Sequence, residues 1–273
     1  MTSSQPVLRI YSAGNSETLP GTVVLDSSKP DLTSTDAAAN RVRGHLATII
    51  DFFQTAYQRN STDGRGADVT ATVHYGRDYA NVFWNGTQLV IGDGDQATDF
   101  TGSLSAIAHE YVEGLIQDTA AFEHAGQSGA LIESLGAVFG VLVEQYQLKQ
   151  STDQADWLEG KGLFRNNPAA AIRSLKTPAD YNQPDHMDDY DDHADVRTNS
   201  GIPNHAFYLL ATDLGGNAWE KAGGIWYKAL TNYATQSTDF SGFAKATIAA
   251  ATDLFDQDTA ARVKAAWSTV GVS

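Results

Sequence analysis

The sequence predicts an α+β protein: a β-rich N-terminal lobe over residues 1–102 and a mainly α-helical C-terminal lobe over 103–273. Three observations carry this. Residues 81–91 hold an Asn85-Gly86 turn between β-rich arms, the strongest hairpin signal in the chain. From Leu104 onward, apolar residues recur at helical spacing, beginning Leu104, Ile107, Ala108, Tyr111, Val112, Leu115 and Ile116. No internal repeat or low-complexity linker divides the chain further. A helix bearing the candidate chemistry, at 104–116, then falls between the two lobes, where a cleft is expected.

Taken in order, Thr22–Asp26 is a short strand after Pro20-Gly21. Asp36–Tyr57 keeps helical spacing through Ala39, Val42, Leu46, Ile49, Ile50, Phe53 and Tyr57, with Thr35 or Asp36 as its cap. Asn60–Gly66 reads as a polar turn and Val69–Tyr75 alternates as a strand. After the hairpin and Gly92-Asp93-Gly94-Asp95, two helical patterns follow, the second through Leu131, Leu135, Val138, Phe139, Leu142 and Val143. Thr177–Arg197 is an Asp-rich loop, read as a solvated acidic segment, and helices are expected near 203–214, 219–234, 239–255 and 258–269.

Composition bounds the function. The 273 residues are 42% hydrophobic and 19% charged, which predicts a folded globular chain. A net charge of −15 argues against nucleic-acid partners and anionic membrane surfaces. Cysteine is absent, so thiolate ligands, disulfides and a thiol nucleophile are excluded. No uninterrupted apolar run approaches the roughly 18–20 residues that span a bilayer. The start, MTSSQPVLRIYSAGNS, lacks a charged stretch followed by an apolar one. The expectation is a cytoplasmic protein as written, without signal or pro-segment, or a secreted one if this is the mature domain of a longer precursor.

The chemistry concentrates in Ser103–Glu144. His109 and Glu113, four apart, stack on one helix face. Glu133 lies on the second helix beside the small residues Ala137 and Gly140, which admit a close neighbour. Two antiparallel helices can thus present His109, Glu113 and Glu133 to one metal ion, with Glu110 adjacent as a general base. The stretch is H-E-Y-V-E, one residue away from the zinc motif H-E-x-x-H.

At this point the chain resembles the mature catalytic domain of the thermolysin-like (M4) metallopeptidases over nearly its whole length. The matching segments include VHYGRDYANVFWNG (73–86), IGDGD (91–95), AHE (108–110), SGALIESLGAVFG (128–140), DWLEG (156–160), RSLKTPADYNQPDH (173–186), TNSGIPNHAFYLL (198–210) and IWYKALTNY (225–233). The resemblance implies a two-lobe metalloprotease fold, one zinc ion and a peptide-like substrate. It makes His109 the first ligand, Glu110 the general base and Glu133 the carboxylate ligand. Asn81 then binds substrate backbone, Trp84 lines the cleft, and Arg173 lies below the primed-side specificity pocket.

The departures are as specific. Glu113 stands where the family has its second histidine ligand. Arg197 replaces the histidine that stabilises the tetrahedral intermediate, although Asp192, the carboxylate that orients it, is retained. His124 stands where a tyrosine faces the same oxyanion, and Ala137 replaces an aspartate behind the first ligand. Glu144 and Asp156 remain of the family's calcium ligands, but Ser105, Leu158 and Lys161 occupy other ligand positions, so that site is expected to be lost.

Each departure has a bland reading beside the functional one. Glu113 is a ligand or a relic of a lost one. Arg197 supplies fixed charge to an oxyanion, clamps a substrate carboxylate, or simply pairs with Asp192. His124 serves the site or is an ordinary surface histidine. One imidazole and two carboxylates bring a dication's site to zero charge, which weakens its polarising power and admits iron or manganese beside zinc. Three functions remain open: hydrolysis of a specific peptide-like amide, a repurposed metalloenzyme of a small-molecule pathway, and a catalytically inactive peptide-binding relative.

Overall fold

The computed structural model describes residues 5–273, which divide into two units. The signal-peptide reading rests partly on residues 1–4, outside the described residues.

The first unit runs to Asp118 and adds Gly160–Ala171. It contains β1 (Leu8–Ser16), β2 (Thr22–Asp26), α1 (Ala37–Tyr57), β3 (Val69–Tyr75), β4 (Val82–Trp84), β5 (Leu89–Ile91) and α2 (Leu104–Gln117). The strands form one sheet in the order β2-β1-β3-β5-β4. β1 and β3 run parallel, as do β3 and β5, while β2 and β4 pair antiparallel at the two edges. The expected hairpin is β4–β5. Asn85 Oδ1 accepts from the backbone of Thr87 and Gln88, both at 3.0 Å, and Gly86 takes the φ of 94° that a side chain would resist. Asp36 caps α1 through Ala38 N at 2.9 Å and Ala39 N at 3.1 Å.

Two features of this unit differ from the expectation. The polar turn after α1 is buried at Arg59, Asn60, Ser61 and Thr62, with the Arg59 guanidinium turned back onto the Thr62 carbonyl. The boundary placed at 102/103 falls instead after Asp118. The reason is packing: Tyr111 of α2 stacks on Phe53 of α1 at 5.8 Å, and α2 also lies against β4. Residues 160–171 join the unit through Asp99 N to Leu163 O at 2.7 Å and Arg165 N to Ala97 O at 2.8 Å.

The second unit, Thr119–Glu159 and Ile172–Ser273, is helical. It holds α3 (Gly126–Leu148), the two-residue strands β6 (Leu158–Glu159) and β7 (Arg173–Ser174), α4 (Val196–Asn199), α5 (Gly201–Leu214), α6 (Ala222–Asn232), α7 (Phe240–Leu254) and α8 (Gln257–Thr269). α3 is long and apolar enough to cross a membrane, but 89% of its apolar window is buried, so it is a core helix. The indoles of Trp226 and Trp267 stack at 5.7 Å, and Trp267 Nε1 donates to Thr247 Oγ1 at 2.9 Å. The Asp-rich stretch is loop with short 3₁₀ turns at Pro178–Tyr181 and Met187–Asp189.

His74 ties three parts of the first unit together. Its Nδ1 meets Asp93 Oδ1 at 2.6 Å and its Nε2 meets Asp36 Oδ2 at 2.8 Å. Burial pushes the imidazole pKa down, but the Asp36 and Asp93 hydrogen bonds and charges outweigh it, and the net shift is upward. A raised histidine pKa stabilises the fold fully below the unfolded value of about 6.5, and that stabilisation is lost as pH rises through the folded value. Thermal unfolding should therefore show His74→Gln most destabilised below about pH 6.5 and approaching the parent on the alkaline side. An equal gap at every pH would contradict the staple.

Candidate functional site

In the first unit, α2 is capped by Ser103, whose Oγ accepts from Ala106 N at 3.3 Å. His109 is buried and Glu113 partly so, and His109 Nε2 lies 3.8 Å from Glu113 Oε1. Two ligand atoms around a tetrahedral ion at zinc-type bond lengths stand about 3.4 Å apart. The observed spacing is too long for a hydrogen bond and close to that of two donors sharing an ion. Glu110, one residue on, is held from outside the helix: Trp84 N donates to its Oε2 at 3.0 Å.

In the second unit, Glu133 is buried on α3 and flanked by two guanidiniums. Arg173 Nη2 lies 3.4 Å from Glu133 Oε2, and Arg173 Nε pairs with Glu159 Oε2 at 2.9 Å. Both Arg173 and Glu159 are buried, so Glu159 neutralises a charge that burial would otherwise penalise. Arg197 Nε lies 3.4 Å from Glu133 Oε1, with Asp195 at 3.9 Å from Nη1. Its side chain is 65% exposed. Gln183 Nε2 and Ser200 Oγ both donate to the Arg197 carbonyl, which fixes the backbone from which the guanidinium extends.

The remaining residues are placed as follows. Asn81 is exposed at the start of β4, where its carbonyl accepts from Gly92 N at 3.0 Å. Trp84 packs its ring against Gly114 of α2 and donates from Nε1 to Gln117 at 2.8 Å. His124 is exposed in the turn before α3. Asp192 is exposed beside Tyr190, whose phenol pKa is raised by burial and by the Asp192 charge. The carboxylates next to Arg197 are thus Glu133 and Asp195. Ser105 Oγ accepts from Gly160 N at 3.0 Å.

Sequence reasoning had not singled out Glu159, Gln183, Ser200 or Gln117. Glu159 lies inside the matching segment DWLEG, and its charge in a short apolar run was the available signal. Nothing in the spacing of Gln183 or Ser200 marks them.

His109 and Glu113 of the first unit and Glu133 of the second are donors of the kind that hold a metal ion. Donors of this kind, with a carboxylate able to act as general base beside the first pair, are what a metal-dependent hydrolase uses. Residues 1–117 match the model of the thermolysin metallopeptidase catalytic domain, and residues 120–272 that of the thermolysin metallopeptidase alpha-helical domain. The chain belongs to the thermolysin-like (M4) metallopeptidase family. Protease PrtS of Photorhabdus sp. (strain Az29) is 43% identical, over 96% of this chain and 76% of its own length. An extracellular metalloprotease of Pectobacterium carotovorum subsp. carotovorum is 42% identical, over 96% and 80%. The solved precursor of protealysin, a metalloproteinase from Serratia proteamaculans, superposes with a TM-score of 0.93 at 41% identity, covering 100% of this chain and 89% of that one.

Proposed function

We propose that this protein hydrolyses a specific peptide-like amide with Glu110 as general base and one divalent metal held by His109, Glu113 and Glu133. The observation that carries the reading is the Glu110 carboxylate fastened by Trp84 N–H one residue from the 3.8 Å His109–Glu113 donor pair. The donor set fits a divalent cation in type and, within α2, in spacing. When bound, the metal supplies a Lewis acid that polarises a carbonyl and acidifies water. Glu110 takes the proton of the attacking water and returns it to the leaving amine.

Arg197 donates hydrogen bonds and fixed positive charge to the oxyanion, with His124 as a second donor. Its charge offsets what Glu113 removes: the site loses one positive unit where histidine becomes glutamate, and Arg197 keeps a full cation where the family has a titratable group. Asp192 then acts on the loop carrying Arg197 through Tyr190. The substrate lies along β4, an edge strand whose outward backbone groups, apart from the Trp84 N–H that Glu110 holds, suit an extended peptide, with Asn81 at its start and Arg173 behind the pocket. Zinc is the metal proposed, and the family's calcium site is proposed lost because Ser105 is committed to Gly160 and Leu158 offers no oxygen side chain. The relative named as extracellular supports a secreted mature domain.

A second reading, a small-molecule metalloenzyme using iron or manganese, is favoured by one observation, the second carboxylate at Glu113. Treatment with a chelator separates the readings. Peptide cleavage that is abolished by metal removal and restored by zinc supports hydrolysis. Restoration by iron or manganese of a non-hydrolytic turnover, with no cleavage under any metal, supports the second.

A further inference from the structure

Glu110, Gly114 and Gln117 stand at i, i+4 and i+7 on α2, so they form one stripe along the helix. Trp84 lies along that stripe and meets it at three points. Its backbone N–H donates to Glu110 Oε2 at 3.0 Å. Its ring passes over Gly114, where a Cβ would stand 3.1 Å from Cε2 and Cζ2 and 3.2 Å from Cη2. Its Nε1 donates to Gln117 Oε1 at 2.8 Å. Gln117 makes one more contact, donating from Nε2 to the Gly86 carbonyl at 3.0 Å. The same side chain therefore grips both the indole and the turn of the hairpin.

The hairpin needs such a grip. β4 has three residues and lies at the sheet edge, paired on one side only. Along β4, Asn81 O and Asn85 N bond toward β5, so the alternate residue Trp84 aims its N–H outward. A short edge strand without lateral fastening frays readily. Any drift of β4 relative to α2 moves the donor on which the Glu110 carboxylate rests.

We propose that Gln117 is a positioning residue: together with Gly114 it clasps Trp84 and the β4–β5 turn onto α2, and so holds Trp84 N–H against the Glu110 carboxylate. The proposal rests on Glu110 being the general base. Gly114 is required by the clasp, since alanine is the better helix former there yet would crowd the indole. Gln117 contributes nothing to ligand donation or to substrate contact in this scheme; it acts through Trp84.

The test uses the full chain loaded with metal and a quenched fluorescent peptide that the parent protein cleaves. Gln117→Ala should lower kcat by about three- to tenfold, the equivalent of one net hydrogen bond, with KM little changed. Hydrogen exchange at the Trp84 amide should accelerate by a similar factor, with metal content at the parent level. Gly114→Ala should shift both readouts in the same direction without lowering the unfolding midpoint. Parent-level kcat and parent-level Trp84 exchange in both variants overturn the clasp. If Glu110→Gln remains active, the base assignment fails, and Trp84 amide exchange still decides whether Gln117 holds the strand.

Discussion

Replacing Glu110 by glutamine is expected to lower peptide hydrolysis by about 10²–10⁴-fold while leaving the metal content unchanged. Glutamine has nearly the same shape and keeps an oxygen for Trp84 N–H, so the 3.0 Å contact survives. What it loses is the ability to accept and return a proton. The effect should fall on kcat, because the proton is in flight only in the transition state. A variant retaining more than about a third of parental kcat would remove Glu110 from the chemistry and return the site to a binding role.

Glu113→His is expected to strengthen the site. It restores two imidazoles and one carboxylate, which raises the charge at a dication from 0 to +1 and makes the ligand set nitrogen-rich. Zinc affinity should rise by at least about tenfold, or about 1.4 kcal/mol, and peptide hydrolysis should rise with it. The position is prepared for the exchange, since His109 Nε2 and Glu113 Oε1 already stand 3.8 Å apart on one face of α2. Unchanged zinc affinity in Glu113→His would mean that position 113 is no longer a ligand position.

Much of this was legible in the sequence, for physical reasons that differ by element. α1, α2 and the last four helices bury one face, so period 3.6 shows through and the bounds fall within a few residues of those expected. The β4–β5 hairpin is announced by a turn that demands positive φ at Gly86. β1 carried no comparable signal. Its last three residues, Gly14-Asn15-Ser16, are exposed and break the alternation, yet its first half is the parallel partner that places β3. His109, Glu110 and Glu113 sit on one helix and Glu133 on the next, a placement that helical spacing alone expresses.

Contacts between distant residues were not legible. The partners of His74, Asp36 and Asp93, lie 38 and 19 residues away. Gln117 lies at the end of α2, 33 residues from the indole it holds. Arg197 invited pairing with Asp192 by its place in the motif. In the fold, the short α4 begins at Val196 with Asp195 as its cap, and the guanidinium reaches Glu133 and Asp195. The boundary at 102/103 followed the change from strand to helix, whereas packing follows Tyr111 onto Phe53 and assigns α2 to the first unit.

The measurement that bears hardest on the altered donor set is the metal content of the purified protein beside that of Glu113→Ala. Elemental analysis of the parent should find one equivalent of a divalent transition metal, zinc foremost. Glu113→Ala should retain far less after the same dialysis, because removing one of three protein ligands leaves a single histidine and a single carboxylate. A parent protein that binds no transition metal, even when supplied with zinc, would contradict the assignment of His109, Glu113 and Glu133.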